Sequence, residues 1–317
     1  MQISGLIPAT VTPFTESNAV DGEELARHVA FVADHDGVSG VAVNGHAGEV
    51  STLDHAERAE VVKHARAGLP DGKLLIAGIE AFTADHLERQ AVAAAEAGAD
   101  GFLVIPPFDS RGLRHLAKDP DTVARVFSQL DRNVGKPMIV FAYPESSGCA
   151  YPLEVLRAVT DVPSVVAIKA ATGEPTPYID IFDHLHEKVS ILAACDAPSL
   201  LPMLLHGAAG ALLGISTVGT AIWAELVREA LHGSADSAVK IFRDRCLPLT
   251  RAIYENQRRL TLTSTFGATK EALYQLGQLK SARMRGPGIS PNDEVKQRIR
   301  QGLVQAGLLN PAQAAQA

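Results

Sequence analysis

Val165-Val166-Ala167-Ile168-Lys169 is an apolar run that ends in a charge. β-Branched and aliphatic residues in unbroken succession read as a strand buried on both faces, where an ammonium group is costly unless it is paired or has a task. Two readings stand. Partial desolvation lowers a lysine pKa toward the range in which the amine attacks a carbonyl and forms a Schiff base. Alternatively, the side chain snorkels off the strand end or pairs with a carboxylate.

Comparable short runs recur on both sides of this one. GLIPAT (Gly5–Thr10), GVAVN (Gly40–Asn44), LLIAG (Leu74–Gly78), GFLVIP (Gly101–Pro106) and PMIVFA (Pro137–Ala142) precede it, and VSILAA (Val189–Ala194) and GALLGI (Gly210–Ile215) follow. The text between them has helical spacing, as in Asp21–His35, Asp54–Gly68 and Ala84–Ala99. Alternating strand and helix implies parallel strands joined by right-handed crossovers. Eight such units close most economically into a (β/α)8 TIM barrel, a fold of about 250 residues. The competing open, doubly wound sheet lacks support, because no GxGxxG opens the first helix and no GxxxxGK[ST] occurs.

From Ala224 onward the strand signal stops. AELVREALHG (Ala224–Gly233) through IRQGLVQAGLL (Ile299–Leu309) is apolar-periodic helical text, broken by the Pro/Gly loop Arg285–Asp293 and ending in a frayed tail, Asn310–Ala317. The expected organisation is therefore an α/β barrel over residues 1–223 with a C-terminal helical region, 224–317, packed on it.

Composition narrows the function. With 46% hydrophobic and 21% charged residues and a formal net charge of −7, the chain carries no basic stripe for nucleic acid. Cys149, Cys195 and Cys246 show no CxxC spacing, which fits reduced thiols with structural roles. The opening MQISGLIPATVTPF lacks a basic segment followed by an apolar core, and no apolar run approaches the roughly 20 residues needed to span a bilayer. A soluble cytoplasmic protein is expected, with small molecules or copies of itself as partners, and neither nucleic acid nor membrane.

Barrel active sites form at the C-terminal ends of the strands, so candidates can be read off in order. They are Thr10, His46 and Glu49, Glu80, Asp109, Phe141 and Tyr143, Lys169, Asp196, and Ser216 with Thr217. No HxH, HExxH or clustered His/Asp pattern occurs, so no metal site is expected. The single tryptophan, Trp223, is expected to pack in a core or interface.

Four motifs stand in order along the chain: Thr12-Pro13-Phe14; Gly45-His46-Ala47-Gly48-Glu49, followed by Leu53 and Glu57-Arg58; the segment Gly98–Pro107; and Val166-Ala167-Ile168-Lys169. With these motifs the chain resembles the dihydrodipicolinate synthase / N-acetylneuraminate lyase superfamily over nearly its whole length, as far as KEALYQLG (Lys270–Gly277) and beyond. The resemblance implies a class I lyase in which Lys169 condenses with the ketone of a 2-oxo acid such as pyruvate, with no cofactor or metal. It also implies a homo-oligomer, tetramer or dimer.

The chain departs from the family pattern at several positions. The family's two loop threonines fall on His46 and Ala47, its strand-five tyrosine and the following asparagine on Phe141 and Ala142, its neighbouring-subunit tyrosine on Asp109, and its second-substrate arginine on Ser146. These losses argue against true dihydrodipicolinate synthase activity and weaken a neuraminate lyase reading. The backbone of Gly45, Ala47 and Gly48 retains the means to hold a carboxylate, because turn amides form an anion nest whatever the side chain. His46 has two readings, a proton-transfer group, since histidine side chains ordinarily titrate near neutrality, or a loop histidine that bonds backbone, and Tyr143 is the second option for proton transfer on the same strand face as Phe141. Phe141 is a wall beside the lysine, Thr10 lines the substrate space, and Ser216 and Thr217 line the mouth. Asp109 either accepts a hydrogen bond from substrate or lies solvated, and Glu49 bonds loop amides. The expected activity is a Schiff-base-forming aldolase or dehydratase whose 2-oxo acid carries a deoxy-sugar or aromatic distal group. The rival is a catalytically impaired member that binds a metabolite or acts in assembly.

Overall fold

The computed structural model describes residues 3–108, 110–255, 265–286 and 288–310. All eight expected strands form: β1 (Gly5–Pro8), β2 (Gly40–Val43), β3 (Leu74–Ile79), β4 (Gly101–Val104), β5 (Met138–Ala142), β6 (Val165–Ala170), β7 (Ser190–Ala193) and β8 (Gly210–Leu213). They pair in parallel in the order β1-β8-β7-β6-β5-β4-β3-β2. Single parallel bridges, Leu6 to Val38 and Ala9 to Ala42, draw β1 toward β2 and nearly close the barrel.

The helices α1 (Gly22–Ala33), α2 (His55–Gly68), α3 (Ala84–Glu96), α4 (Pro120–Asn133), α5 (Leu153–Val159), α6 (Pro175–Leu185), α7 (Leu200–Leu205) and α8 (Thr220–His232) follow the strands in turn. Several start where a short polar side chain satisfies an orphan amide. Asp21 accepts from the Glu24 amide, Thr83 from His86, and Asp54 forms a capping box with Glu57.

α8 runs continuously across the expected boundary between residues 223 and 224. Its Trp223 is fully buried and donates its indole N–H to the Val218 carbonyl at 3.1 Å. After it come α9 (Ala235–Ile241), a π-helical turn (Phe242–Cys246), α10 (Leu247–Ile253), α11 (Thr265–Gln275) and α12 (Asp293–Gln305). No described helix is long and apolar enough to cross a membrane. The three cysteines are buried and form no disulfide among the described residues.

Two apolar clusters result from the period-two alternation of the strands. One lies between sheet and helices and includes Leu75, Phe102, Val140 and Ile168. The other fills the barrel interior with Ile7, Ile76, Leu103, Ile139, Ala167 and Leu212. Phe141 and Lys169 have the same parity as Ile139 and Ala167, so both cap the interior column at its C-terminal end. Register places Lys169 between Phe141 of β5 and Leu192 of β7.

Candidate active site

Lys169 lies over the ring of Phe141, its Nζ 3.7 Å from the ring centroid. The residue is partly buried and, among the described residues, makes no hydrogen bond or ion pair. Burial lowers its pKa to about 8, against the opposing pull of Asp196 and then Cys195. The Phe141 face favours the cation but supplies none of the hydrogen bonds that water would. A substantial neutral fraction of the amine is therefore present near physiological pH.

Phe141 and Tyr143 meet edge to face, with centroids 4.6 Å apart at 88°. His46, on the 3₁₀ turn His46–Gly48 after β2, packs against both rings at 5.6 and 5.7 Å. Its Nε2 shares a hydrogen bond with the Tyr143 hydroxyl. The two side chains proposed separately for proton transfer thus form one couple, and Phe141 joins it to Lys169.

Backbone strain marks the loop that carries His46. Asn44 (φ 53°) and Glu49 (φ 55°) bracket it in the left-handed region, where non-glycine residues are uncommon. Asn44 is held by its side-chain amide, which donates to the Arg58 carbonyl at 2.8 Å. Glu49 is fixed by an ion pair with Lys270 of α11 and by the Arg285 amide, which donates to Oε2 at 3.1 Å. Arg58 ties the surrounding loops together, donating to the carbonyls of Val50 at 3.0 Å, Leu53 at 3.1 Å and Glu80 at 2.7 Å. Within the turn, the amides of Gly48 and Glu49 donate to Gly45 and His46, and that of Val50 to Gly45. The Ala47 amide has no acceptor among the described residues.

Other expected site residues have different tasks. Thr10 is buried and donates from both its amide and its hydroxyl to the Ala42 carbonyl, at 2.8 and 3.3 Å, across the β1–β2 seam. Ser216, expected to line the mouth, is completely buried, and its hydroxyl donates to the Leu213 carbonyl at 2.9 Å. Thr217 is likewise buried and donates to Gly214. Both hydroxyls are consumed because a 3₁₀ turn, Ile215–Thr217, brings the carbonyl three residues back within reach. Glu80 accepts from the Ser51 hydroxyl and pairs with Arg58. Asp109 lies outside the described residues. No group of three or more His, Cys, Asp or Glu side chains able to hold a metal occurs among the described residues.

Asp196 stands among the strand-end candidates, but its partner Tyr254 left no trace in the sequence. Asp196, at the end of β7, accepts from the Ile215 amide at 3.0 Å and from the phenol of Tyr254, the residue that caps α10. Tyr254 is also hydrogen-bonded to Thr269 of α11. Gly214 makes this possible, since a Cβ there would lie 2.6 Å from the Tyr254 oxygen. Burial raises the Asp196 pKa and raises that of Tyr254 well above its ordinary value.

A cavity of about 190 Å³ opens beside His46, with Val50, Phe266 and Met284 among its walls. A larger cleft, about 630 Å³, lies at the opposite end of the barrel, where Val165, Ser190 and Ala209 begin or precede their strands. It contains none of the strand-end candidates.

The chain is 29% identical over 251 residues to the 4-hydroxy-tetrahydrodipicolinate synthase of Methanosarcina mazei, covering 79% of this chain and 82% of that one. It is 26% identical over 312 residues to the enzyme of the same name from Pseudomonas aeruginosa, covering 97% and 99%. Among solved structures, a putative dihydrodipicolinate synthetase from Pseudomonas aeruginosa superposes with a TM-score of 0.85 at 24% identity, covering 96% of this chain and 100% of that one. The sialic acid aldolase of Ruminococcus gnavus shares the fold at a TM-score of 0.83 and 17% identity, covering 96% and 97%. The family description Dihydrodipicolinate synthetase family matches residues 2–306, and the chain belongs to that family.

Proposed function

We propose that this protein is a Schiff-base-forming lyase, an aldolase or dehydratase, acting on a 2-oxo acid, and that it is not a 4-hydroxy-tetrahydrodipicolinate synthase. The observation that carries the reading is Lys169: an amine at the mouth of the barrel, unpaired among the described residues and brought by burial to a pKa of about 8. Its neutral form attacks the ketone carbon, and the carbinolamine loses water to give an iminium. The cationic nitrogen then accepts the electron pair released when a bond breaks at the neighbouring carbons, leaving an enamine. His46 and Tyr143 share one hydrogen bond, so a proton taken by one is passed to the other. Within this reading the Ala47 amide and its turn hold the substrate carboxylate.

The departure from the synthase rests on Ser146 and Phe141, which stand where the resemblance expects an arginine and a tyrosine. The apolar walls beside His46 suit an apolar or aromatic distal group better than a polyhydroxylated one. Assembly as a homo-oligomer, tetramer or dimer, belongs to the same proposal and is measured by sedimentation. Borohydride reduction in the presence of pyruvate, followed by intact mass measurement, tests the chemistry. A stable adduct is expected on the wild type and none on Lys169→Ala. Absence of an adduct with pyruvate and with a panel of 2-oxo acids overturns the reading.

A further inference from the structure

We infer that Asp196 and Tyr254 act together to set the charge state of Lys169, which makes the C-terminal helical region part of the reactive site. The inference rests on the reading of Lys169 as the reactive amine and concerns groups from the far end of the chain. Asp196 and Cys195, at the end of β7, are the ionisable groups that face Lys169 among the described residues, while Phe141 covers it from β5. Asp196 is approached from three sides: by the amides of Gly214 and Ile215, by Lys169, and by the Tyr254 phenol. Tyr254 faces only Asp196 and Thr269 among the groups that act on it.

The direction of the hydrogen bonds follows from the chemistry. The Tyr254 phenol donates to the carboxylate, and its oxygen accepts from the Thr269 hydroxyl, so α10 and α11 feed donors toward Asp196. The space is kept open by Gly214, where any side chain would strike the phenol oxygen. A buried carboxylate next to a lysine favours the charged nitrogen, and a phenol donor favours the ionised carboxylate. The pair therefore keeps Lys169 from losing its proton as completely as burial alone would dictate. It also supplies a counter-charge to the iminium, whose nitrogen stays cationic. Tyr254 touches no reacting atom and is a positioning residue that acts through Asp196.

Competitive acetylation with acetic anhydride, with the Lys169 peptide quantified by mass spectrometry across pH, reads the amine's titration midpoint with no 2-oxo acid present. Asp196→Asn, which retains an acceptor for the Ile215 amide, is expected to lower the midpoint by about one unit, which is about tenfold more neutral amine at a given pH below it. Tyr254→Phe is expected to lower it less, and to have no further effect in the Asp196→Asn background. If Tyr254→Phe does not fold, 3-fluorotyrosine at position 254, a stronger donor, is expected to raise the midpoint. An unchanged midpoint in Asp196→Asn overturns the inference, as does an equal Tyr254→Phe shift in both backgrounds. Shifted midpoints with no pyruvate adduct on the wild type overturn the Schiff-base reading alone. An adduct without shifts overturns this inference alone.

Discussion

Lys169 and Lys270 are two desolvated lysines with opposite pairing. Each lies over an aromatic ring, Phe141 at 3.7 Å and Phe14 at 4.3 Å, and in each burial is the leading cause of a lowered pKa. Their partners differ. Lys270 is fully enclosed, paired with Glu49, and donates to the Arg283 carbonyl at 2.9 Å. Its charge is spent on fastening the loop after β2 to α11 and the segment that follows. Lys169 has a carboxylate in its vicinity but no hydrogen bond to it among the described residues, so its amine is available. What separates the structural lysine from the one proposed to react is the completeness of pairing, since both are desolvated.

The largest effect should come from removing the member proposed to react. Lys169→Ala is expected to abolish the borohydride-trapped adduct and to lower lyase turnover by at least on the order of 10³-fold. Its urea unfolding midpoint should stay unchanged or rise, because a desolvated charge without a full set of partners has been removed. The structural member should show the reverse. Lys270→Met leaves Glu49 buried without its cation and is expected to cost about 3–5 kcal/mol of unfolding free energy, with part of it restored in Lys270→Met/Glu49→Gln. If Lys270→Met unfolds at the wild-type urea concentration, the contrast between the two lysines fails.

Intermediate effects are expected at the aromatic couple. His46→Gln and Tyr143→Phe should each lower kcat by about 10²-fold, and the double variant should lose little more than either single one, since both break the same bond. Full additivity would show that the two side chains act separately.

The remaining effect is in the pH dependence of stability. The Lys169 pKa falls from 10.5 unfolded to about 8 folded. Between those values the unfolded chain holds a proton that the folded chain has released, so this group makes stability rise with pH through that window and contributes no slope below it. Wild type and Lys169→Met, titrated in parallel by urea unfolding, should differ by that rise. Equal slopes would place the Lys169 midpoint near its unfolded value.

Much of this arrangement was legible residue by residue. The strands were visible because parallel strands buried on both faces must be continuously apolar, and Lys169 stood out against that background. His46 and Tyr143 stand out as strand-end candidates by position alone, yet nothing in the text shows that residues 97 apart share a hydrogen bond. Glu49 was read as a structural residue, but its partner was hidden, because Lys270 sits in amphipathic helical text like any exposed lysine. Ser216 misled for a local reason: a short 3₁₀ turn bent its hydroxyl back onto Leu213 instead of leaving it at the mouth. The boundary near residue 223 fell inside α8 because the strand signal ends before the eighth barrel helix does.

By itself, the amino-acid sequence determined the barrel, the sixth strand and the lysine at its end, since hydrophobic periodicity and the order of motifs are local properties of the chain. Only the tertiary structure decided which desolvated charges are fully paired and which are not. Pairing depends on contacts between residues as far apart as Glu49 and Lys270, or Asp196 and Tyr254, and a charge buried by the fold takes its pKa from those neighbours.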